Sequence, residues 1–292
     1  MVSIIIPTCN RPNTLKQVID SYINQNNVLE LIVVNDGSYK SYEDTVDYIK
    51  KRCEDRDIVF KYKVNNKSLG AAGARNVGIK LAEGKYILWG EDDLYLGDNY
   101  IDILLNDKES HNIYFGSIYY GASDKFDYSE EEKIKNSYKN DKNKLFSFDT
   151  LEGYYREDKG MIKKLPFGHA IILVPIEAYN EIKYYEDYKV NGYREETDVQ
   201  ICMQKEGYNI IYNSNAECFH MSGKYIEKGG QHQKNNLVLE YYTIVNNNKF
   251  LHRHYEYIKR EYGLRRTLLG MEVHFFIKRI FFNIKRLINK LK

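Results

Sequence analysis

The chain has 292 residues, 43 Lys and Arg against 41 Asp and Glu, 43% hydrophobic and 29% charged, the profile of an ordinary soluble globular protein with a large core in one or two domains. Cys9, Cys53, Cys202 and Cys218 form no C-x-x-C pair, so neither a zinc site nor a disulfide framework is indicated, and a reducing cytosol fits best. The small net charge hides an asymmetry: from Gly263 to Lys292 eight basic residues face Glu272 alone, a net of +7 that leaves the rest of the chain at −5.

Met1-Val2-Ser3 runs straight into Ile4-Ile5-Ile6 with no basic leader and no cleavage-like segment, so no signal peptide is expected. Val2 to Ile6 is a continuous apolar run stopped by Pro7, the pattern of a strand buried on both faces, and Arg11 to Asn24 follows with helical spacing. Leu29 to Val34 predicts a second buried strand ending at Asn35-Asp36-Gly37-Ser38. Tyr42 to Arg52 predicts a helix, Ile58 to Val64 a strand, Ala71 to Ala82 a helix stopped by Gly84, and Tyr86 to Trp89 a further strand. This βαβαβαβ succession implies a parallel sheet with covering helices, whose ligands bind beyond the carboxyl ends of the strands. Three of those ends carry Thr8-Cys9-Asn10, Asp36-Gly37-Ser38 and Glu91-Asp92-Asp93, so their polar groups converge on one crevice.

Further on, Ile113 to Tyr120 predicts a strand, and Ser123 to Lys144 an exposed helix or mobile insertion without chemistry. Gly168 to Val174 predicts a strand, with a short helix opened by Pro175 behind it. A helix from about Thr197 to Glu206 follows, then a strand from Tyr208 to Tyr212 leading to His220. In the tail, Leu269, Val273, Phe276, Ile277, Ile280, Phe281, Ile284, Leu287, Ile288 and Leu291 fall on one helical face, and Lys278, Arg279, Lys285, Arg286, Lys290 and Lys292 on the other. The tail is too charged to span a bilayer and suits an interfacial helix on an anionic membrane; a helix packed on the body or on another subunit is the alternative. Nucleic acid is not an expected partner, because the basic face lacks aromatic stacking groups.

Three adjacent carboxylates repel unless a cation neutralises them, and a hard ion such as Mg²⁺ or Mn²⁺ that does so keeps positions open for phosphate oxygens. Asp36 suits a hydrogen bond from a base N–H or an ordinary Asp-Gly turn, and Arg75 suits a phosphate or a neighbouring carboxylate. Glu195 and Glu196 open a helix, where the macrodipole favours negative charge. His220 suits a metal or a structural hydrogen bond.

Six motifs in order resemble glycosyltransferase family 2 of the GT-A fold: Ser3 to Arg11, Val33 to Ser38, Gly70 to Gly78, Glu91 to Asp93, Arg194 to Asp198, and Ala216 to His220. The resemblance spans roughly residues 1 to 225. It implies an α/β fold with a mostly parallel central sheet flanked by helices, to which the tail adds a C-terminal amphipathic helix. It divides the chain into a nucleotide-sugar-binding half over 1–100, an acceptor-binding half of the same domain over 101–225, and a helical extension over 226–292.

The implied reaction is inverting transfer of a sugar from a nucleotide-diphosphate donor to an acceptor hydroxyl, assisted by Mn²⁺ or Mg²⁺, in surface-glycan or lipid-linked polysaccharide synthesis. Donor contacts are implied for Thr8, Asn10, Asp36 as the base reader, Ser68 where the family often has Asn, Arg75, and Asp92 near the ribose. Asp93 is the implied direct metal ligand, with Glu91 orienting the site or reaching the metal through water and His220 as a second protein ligand. Glu196 is the implied base, Glu195 its alternate, and Asp198 a support. A cytoplasmic protein, peripheral on the inner face of the membrane through 264–292 and with room for an oligomer, completes the expectation. A sugar-phosphate nucleotidyltransferase would carry a glycine-rich basic loop after the first strand, which Pro7 to Pro12 is not. Intact Asp93 and Glu196 oppose a non-catalytic GT-A-like binding protein.

Overall fold

The computed structural model describes residues 1–106, 109, 111–139, 145–156, 159–230 and 235–291. Lys144, Lys292 and the side chains of Leu287, Lys290 and Leu291 lie outside the described residues. The first elements are β1 (Val2–Thr8), α1 (Pro12–Ile23), β2 (Val28–Asn35), α2 (Glu43–Glu54), β3 (Val59–Val64), α3 (Gly70–Ile79), β4 (Tyr86–Trp89) and β5 (Leu94–Leu96). There follow α4 (Tyr100–Leu105), β6 (Asn112–Ala122), α5 (Tyr128–Tyr138), β7 (Phe146–Ser147), β8 (Glu152–Gly153), β9 (Ile162–Lys164) and β10 (Ile172–Pro175). The last are α6 (Glu195–Lys205), β11 (Asn209–Met221), α7 (Asn236–Tyr262) and α8 (Leu268–Leu291).

Among the described residues nine strands form one sheet in the order β3-β2-β1-β4-β10-β6-β11-β5, with β9 on β11; β7 and β8 pair apart from it. The N-terminal part, β3-β2-β1-β4, is parallel as the apolar runs imply. Beyond it the sheet turns mixed: β10 runs antiparallel to β4 and β6, while β6 and β11 pair in parallel. The chain leaves β1 for β2 and β3 on one side and returns to β4 on the other. The strand order therefore switches between β1 and β4, where α/β sheets open a binding crevice. Helix α3 lies close over that switch; a Cβ on Gly78 would stand 2.5 Å from Ile5 Cγ2, so only glycine fits.

Several boundaries differ from the sequence pattern for physical reasons. Pro7 does not end β1, which stays in register with β2 through Thr8 opposite Asn35; β4 reaches only to Ile5, so no ladder on that side needs the missing N–H. The strand expected from Gly168 begins at Ile172, because the Gln200 side chain accepts from the Gly168 N–H and the His169 ring bonds the Gly116 carbonyl, which diverts this stretch into a cavity wall. The strand expected from Tyr208 to Tyr212 and the stretch leading to His220 are one strand, β11, from Asn209 to Met221, with a register shift between Tyr212 and Glu217.

Helix α8 packs in an unexpected orientation. Its Met271 and Phe275 are buried, Lys278 pairs with Glu152 and Arg279 with Glu240, so these two cations are turned toward the body, while Lys285 and the long apolar face stay exposed. Among the described residues no helix is long and apolar enough to cross a membrane.

Candidate active site

The acidic turn after β4 is held from three sides. Tyr22 Oη accepts from the Glu91 N–H and donates to the Glu91 carbonyl, each at 3.1 Å. Thr8 Oγ1 donates to Asp92 at 2.7 Å, and Arg11 Nη1 donates to Asp92 at 2.8 Å and to Asp93 at 2.9 Å. One guanidinium against three carboxylates leaves the turn short of positive charge. Burial accordingly pushes Asp92 up to about 6, against the pull of Arg11. Burial and the Asp93 charge push Glu91 up to about 7, against the pull of His220.

Pairing of β5 with β11 sets His220 opposite Leu94, and the Met221 N–H donates to the Asp93 carbonyl at 2.9 Å. His220 Nε2 thus lies 3.5 Å from Asp93 Oδ1 and 4.0 Å from Glu91 Oε2. Its Nδ1 lies 2.9 Å from the Met221 carbonyl, which can only accept, so in the neutral ring the proton is on Nδ1 and Nε2 turns its lone pair to the carboxylates. Burial works to lower the His220 pKa, and the charges of Asp93 and Glu91 more than reverse it. The ligand atoms of Glu91, Asp93 and His220 lie within 4.8 Å of one another. Two crowded carboxylates beside an oriented imidazole fit a divalent cation.

A crevice of about 530 Å³ opens over the ends of β1, β2 and β4, and Thr8, Asn10, Asp36, Ser68, Arg75 and Asp92 all line it. Asn10, in the left-handed region at φ 60°, ties the loops together: its N–H donates to Ser38 at 2.8 Å and its Oδ1 accepts from the Tyr39 N–H at 2.9 Å. The Asp36 carboxylate accepts from Asn65 Nδ2 at 2.9 Å, Ser68 Oγ at 2.7 Å, and the N–H groups of Leu69 and Gly70 at 2.9 and 3.0 Å. Its acceptor sites are therefore filled by the loop that opens α3, whose amide dipoles it caps. Ser68 is one of those donors.

Arg75 takes the second of its two sequence alternatives. Its Nη1 pairs with Glu195 and its Nη2 with Glu196 at 3.0 Å. The guanidinium is buried over the Trp89 and Tyr184 rings, at 5.8 and 5.4 Å from their centroids. Burial alone would lower its pKa, but the two glutamates raise it, so Arg75 is a fixed cation. Glu195 is 2% exposed, and burial pushes its carboxyl up while Arg75 opposes.

The Glu196 side chain is 30% exposed and faces two cavities at once. The second cavity, of about 310 Å³, is walled by Tyr120, Glu152, Tyr155, Phe167, His169 and Arg194 among others. Glu91, Glu196 and His220 belong to both walls, so the two cavities meet along these three side chains.

Sequence reasoning gives no role to Arg11, Tyr22 or Arg194. Arg11 had a signal, a cation in the turn beside a strand ending in three carboxylates. Arg194 had none: it adopts φ 77° immediately before Glu195, and its guanidinium donates to Asn247 Oδ1 at 3.0 Å and the Leu151 carbonyl at 2.6 Å. Asp198, Cys202 and His254 form another cluster of metal-ligating types. There Asp198 accepts from Tyr188, Arg253 and His254 at 2.7–2.8 Å, and Lys205 stands 3.0 Å from His254. Two neighbouring cations make this a structural junction between α6 and α7.

Comparison with known proteins identifies a family. The model of the family described as Glycosyl transferase family 2 matches residues 3–167. An uncharacterized glycosyltransferase of Rickettsia bellii is 37% identical over 124 residues, 42% of this chain and 17% of that protein. The Escherichia coli UDP-Glc:alpha-D-GlcNAc-diphosphoundecaprenol beta-1,3-glucosyltransferase WfaP is 35% identical over 126 residues, 42% of this chain and 48% of that protein. The matched region thus spans less than half the length of these relatives. Among solved structures, GalNAc-T7 with UDP, GalNAc and Mn²⁺ superposes with a TM-score of 0.59 at 14% identity, covering 98% of this chain and 57% of that one, a likeness of fold.

Proposed function

The chain belongs to glycosyl transferase family 2, and on that premise we propose that it moves a sugar from a nucleotide-diphosphate donor to an acceptor hydroxyl with inversion at the anomeric carbon. The observation that supports this reading is the meeting of two cavities, about 530 and 310 Å³, along Glu91, Glu196 and His220. A donor in the first cavity and an acceptor in the second would bring the anomeric carbon and the attacking hydroxyl together at that line.

In the donor crevice, Thr8, Asn10, Ser68 and Asp92 line the space for the nucleoside, and Asp36 acts by holding the α3 N-terminus in shape. Glu91, Asp93 and His220 would hold a divalent ion, Mn²⁺ or Mg²⁺. Such an ion would bind the diphosphate oxygens and neutralise the charge that develops on the leaving group. Glu196 is the base: it takes the acceptor hydroxyl proton as the new oxygen–carbon bond forms on the face opposite the breaking bond to the diphosphate. Arg75 fixes its orientation, and Glu195 is the buried partner that holds Arg75. The name of the E. coli relative supports a lipid-linked acceptor, and the exposed apolar face of α8 supports contact with the inner face of a membrane.

The test pairs binding with turnover. UDP, GDP and TDP with and without Mn²⁺ should give nucleotide-selective thermal stabilisation, and one of a panel of UDP-glucose, UDP-N-acetylglucosamine and GDP-mannose should be hydrolysed slowly without acceptor. Neither stabilisation nor hydrolysis with any of them would refute the reading.

A further inference from the structure

We propose that α8 lays the molecule on an anionic lipid surface through its outward face while its other side is paired to the second cavity's wall at Glu152, so that it is not a free tail. The inference deepens the membrane-contact part of the reading above. Leu269, Val273, Phe276, Ile280, Ile284 and Ile288 are each between 43% and 68% exposed and fall within one helical face. Leaving such a stripe in water is unfavourable, and a monomer rarely keeps a patch of this size uncovered.

Charge selects the occupant. The segment from Gly263 carries +7; Arg266, Lys278 and Arg279 are paired with carboxylates of the body, while Arg265 and Lys285 are exposed to an outside partner. Two copies meeting by this face would bring two such segments together, whereas an anionic surface attracts them. Lys285 and Arg286 follow Ile284 directly, where cations can reach headgroups while the apolar side chains enter the acyl boundary.

The opposite side of the same helix touches the site. Lys278 pairs with Glu152, a wall residue of the second cavity. The Phe275 ring lies 5.8 Å from that of Tyr193, which directly precedes Arg194 and the Glu195-Glu196 pair. Just before the helix, Arg266 stands 3.6 Å from Asp149, in the turn that leads into β8. A helix paired to the wall residue Glu152 and packed on Tyr193, next to the wall residue Arg194, ties its position to that wall, so surface binding and acceptor-site geometry are coupled.

Flotation with phosphatidylcholine vesicles, with and without phosphatidylglycerol, combined with hydrogen exchange, tests both halves. The full chain should float with the anionic vesicles and far less with neutral ones, and binding should protect the amides of 268–288 together with those of 150–153. The triple change Phe276→Ser, Ile280→Ser and Ile284→Ser should abolish flotation while keeping the thermal transition. Lys285→Gln with Arg286→Gln should weaken anionic-vesicle affinity by roughly 30-fold. Lys278→Met should still float but lose the protection at 150–153.

Unchanged flotation of the triple variant would overturn the docking face. Protection of α8 without any at 150–153 would overturn the coupling. A full chain that is a dimer by light scattering, becomes a monomer in the triple variant and ignores vesicles would make a second copy the occupant and overturn the lipid proposal. None of these readouts uses a sugar donor, so a protein that floats as stated yet hydrolyses no donor would lose the transferase reading alone.

Discussion

Glu195 and Glu196 share one arginine but not one environment: the first is buried against Arg75, and the second stands on the walls of both cavities. Glu196→Gln is expected to leave donor binding intact and lower transfer by roughly 10²–10⁴-fold, since the amide keeps the shape and cannot take a proton. Single-turnover kinetics beside titration calorimetry would separate the two effects, and normal turnover would remove Glu196 from the mechanism. Asp93→Ala should abolish Mn²⁺-dependent nucleotide binding without lowering the melting temperature of the metal-free protein, because it relieves a crowded set of carboxylates. Unchanged nucleotide affinity in Mn²⁺ would refute that ligand. Glu91, pushed up to about 7, must lose its proton to hold a cation, and so must His220 with its raised pKa, so Mn²⁺ affinity should rise by at least roughly tenfold per pH unit below about 7 and level off only once both are deprotonated. Calorimetry across pH checks this, and a flat profile would contradict it. The acidic turn, Asp36 and Arg75 are legible in the sequence because each charge abuts an apolar strand or lies on a short helix. Tyr22 and Arg194 are not, because their partners lie 69 and 43 residues away; Arg11, 81 residues from Asp92, is marked only by its charge in the turn after the first strand.

Two helices owe their placement to distant side chains. Helix α1 opens at Pro12 with no side-chain cap of its own. Glu227 supplies one, accepting from the N–H groups of Asn13 and Thr14 at 2.7 and 3.1 Å and pairing with Lys40 at 3.1 Å. Glu227→Ala should cost about 1–2 kcal/mol in urea unfolding; a change near zero would mean the cap is idle. Helix α6 is anchored to α7 through Asp198. Burial alone would raise that carboxyl, but His254, Arg253 and Tyr188 hold it down to about 2, and burial keeps His254 below its ordinary value. Both folded values are depressed. The Asp198 contribution is thus full above its ordinary 3.8 and lost as pH falls toward 2, while that of His254 is full above its ordinary 6.5 and lost below it. Asp198→Asn should therefore flatten the acid limb of the melting-temperature profile relative to the parent, and parallel limbs would disprove the anchor. Strands β1, β2 and β4 are readable as unbroken apolar runs. The three-residue β5 and the short β9, whose Ile162, Lys163 and Lys164 are all exposed, carry no such pattern; they exist because β11 offers them an edge.

Across the molecule, the parallel half of the sheet and its mixed half meet at β4 and β10, and the catalytic line proposed above lies at their shared rim. The parallel half follows from alternating strand and helix patterns. The mixed half does not, because nothing in its apolar runs says that β10 inserts between β4 and β6 or that β6 and β11 run in parallel. A chain ending at Tyr262 loses the burial of Leu264, Met271 and Phe275 and leaves Glu152 and Glu240 without their α8 partners. It should still bind nucleotide but be less stable by roughly 3–6 kcal/mol, and equal stability in a denaturant series would show that α8 contributes nothing to the fold. Trp89 has a further consequence. It is the sole tryptophan, fully buried, with its Nε1 donating to Tyr179 Oη at 2.6 Å and the Arg75 guanidinium above its ring. Intrinsic emission excited at the indole band therefore comes from one known spot beneath Arg75, and the protein carries an unlabelled optical gauge whose colour and intensity register any shift of that cation when a ligand arrives.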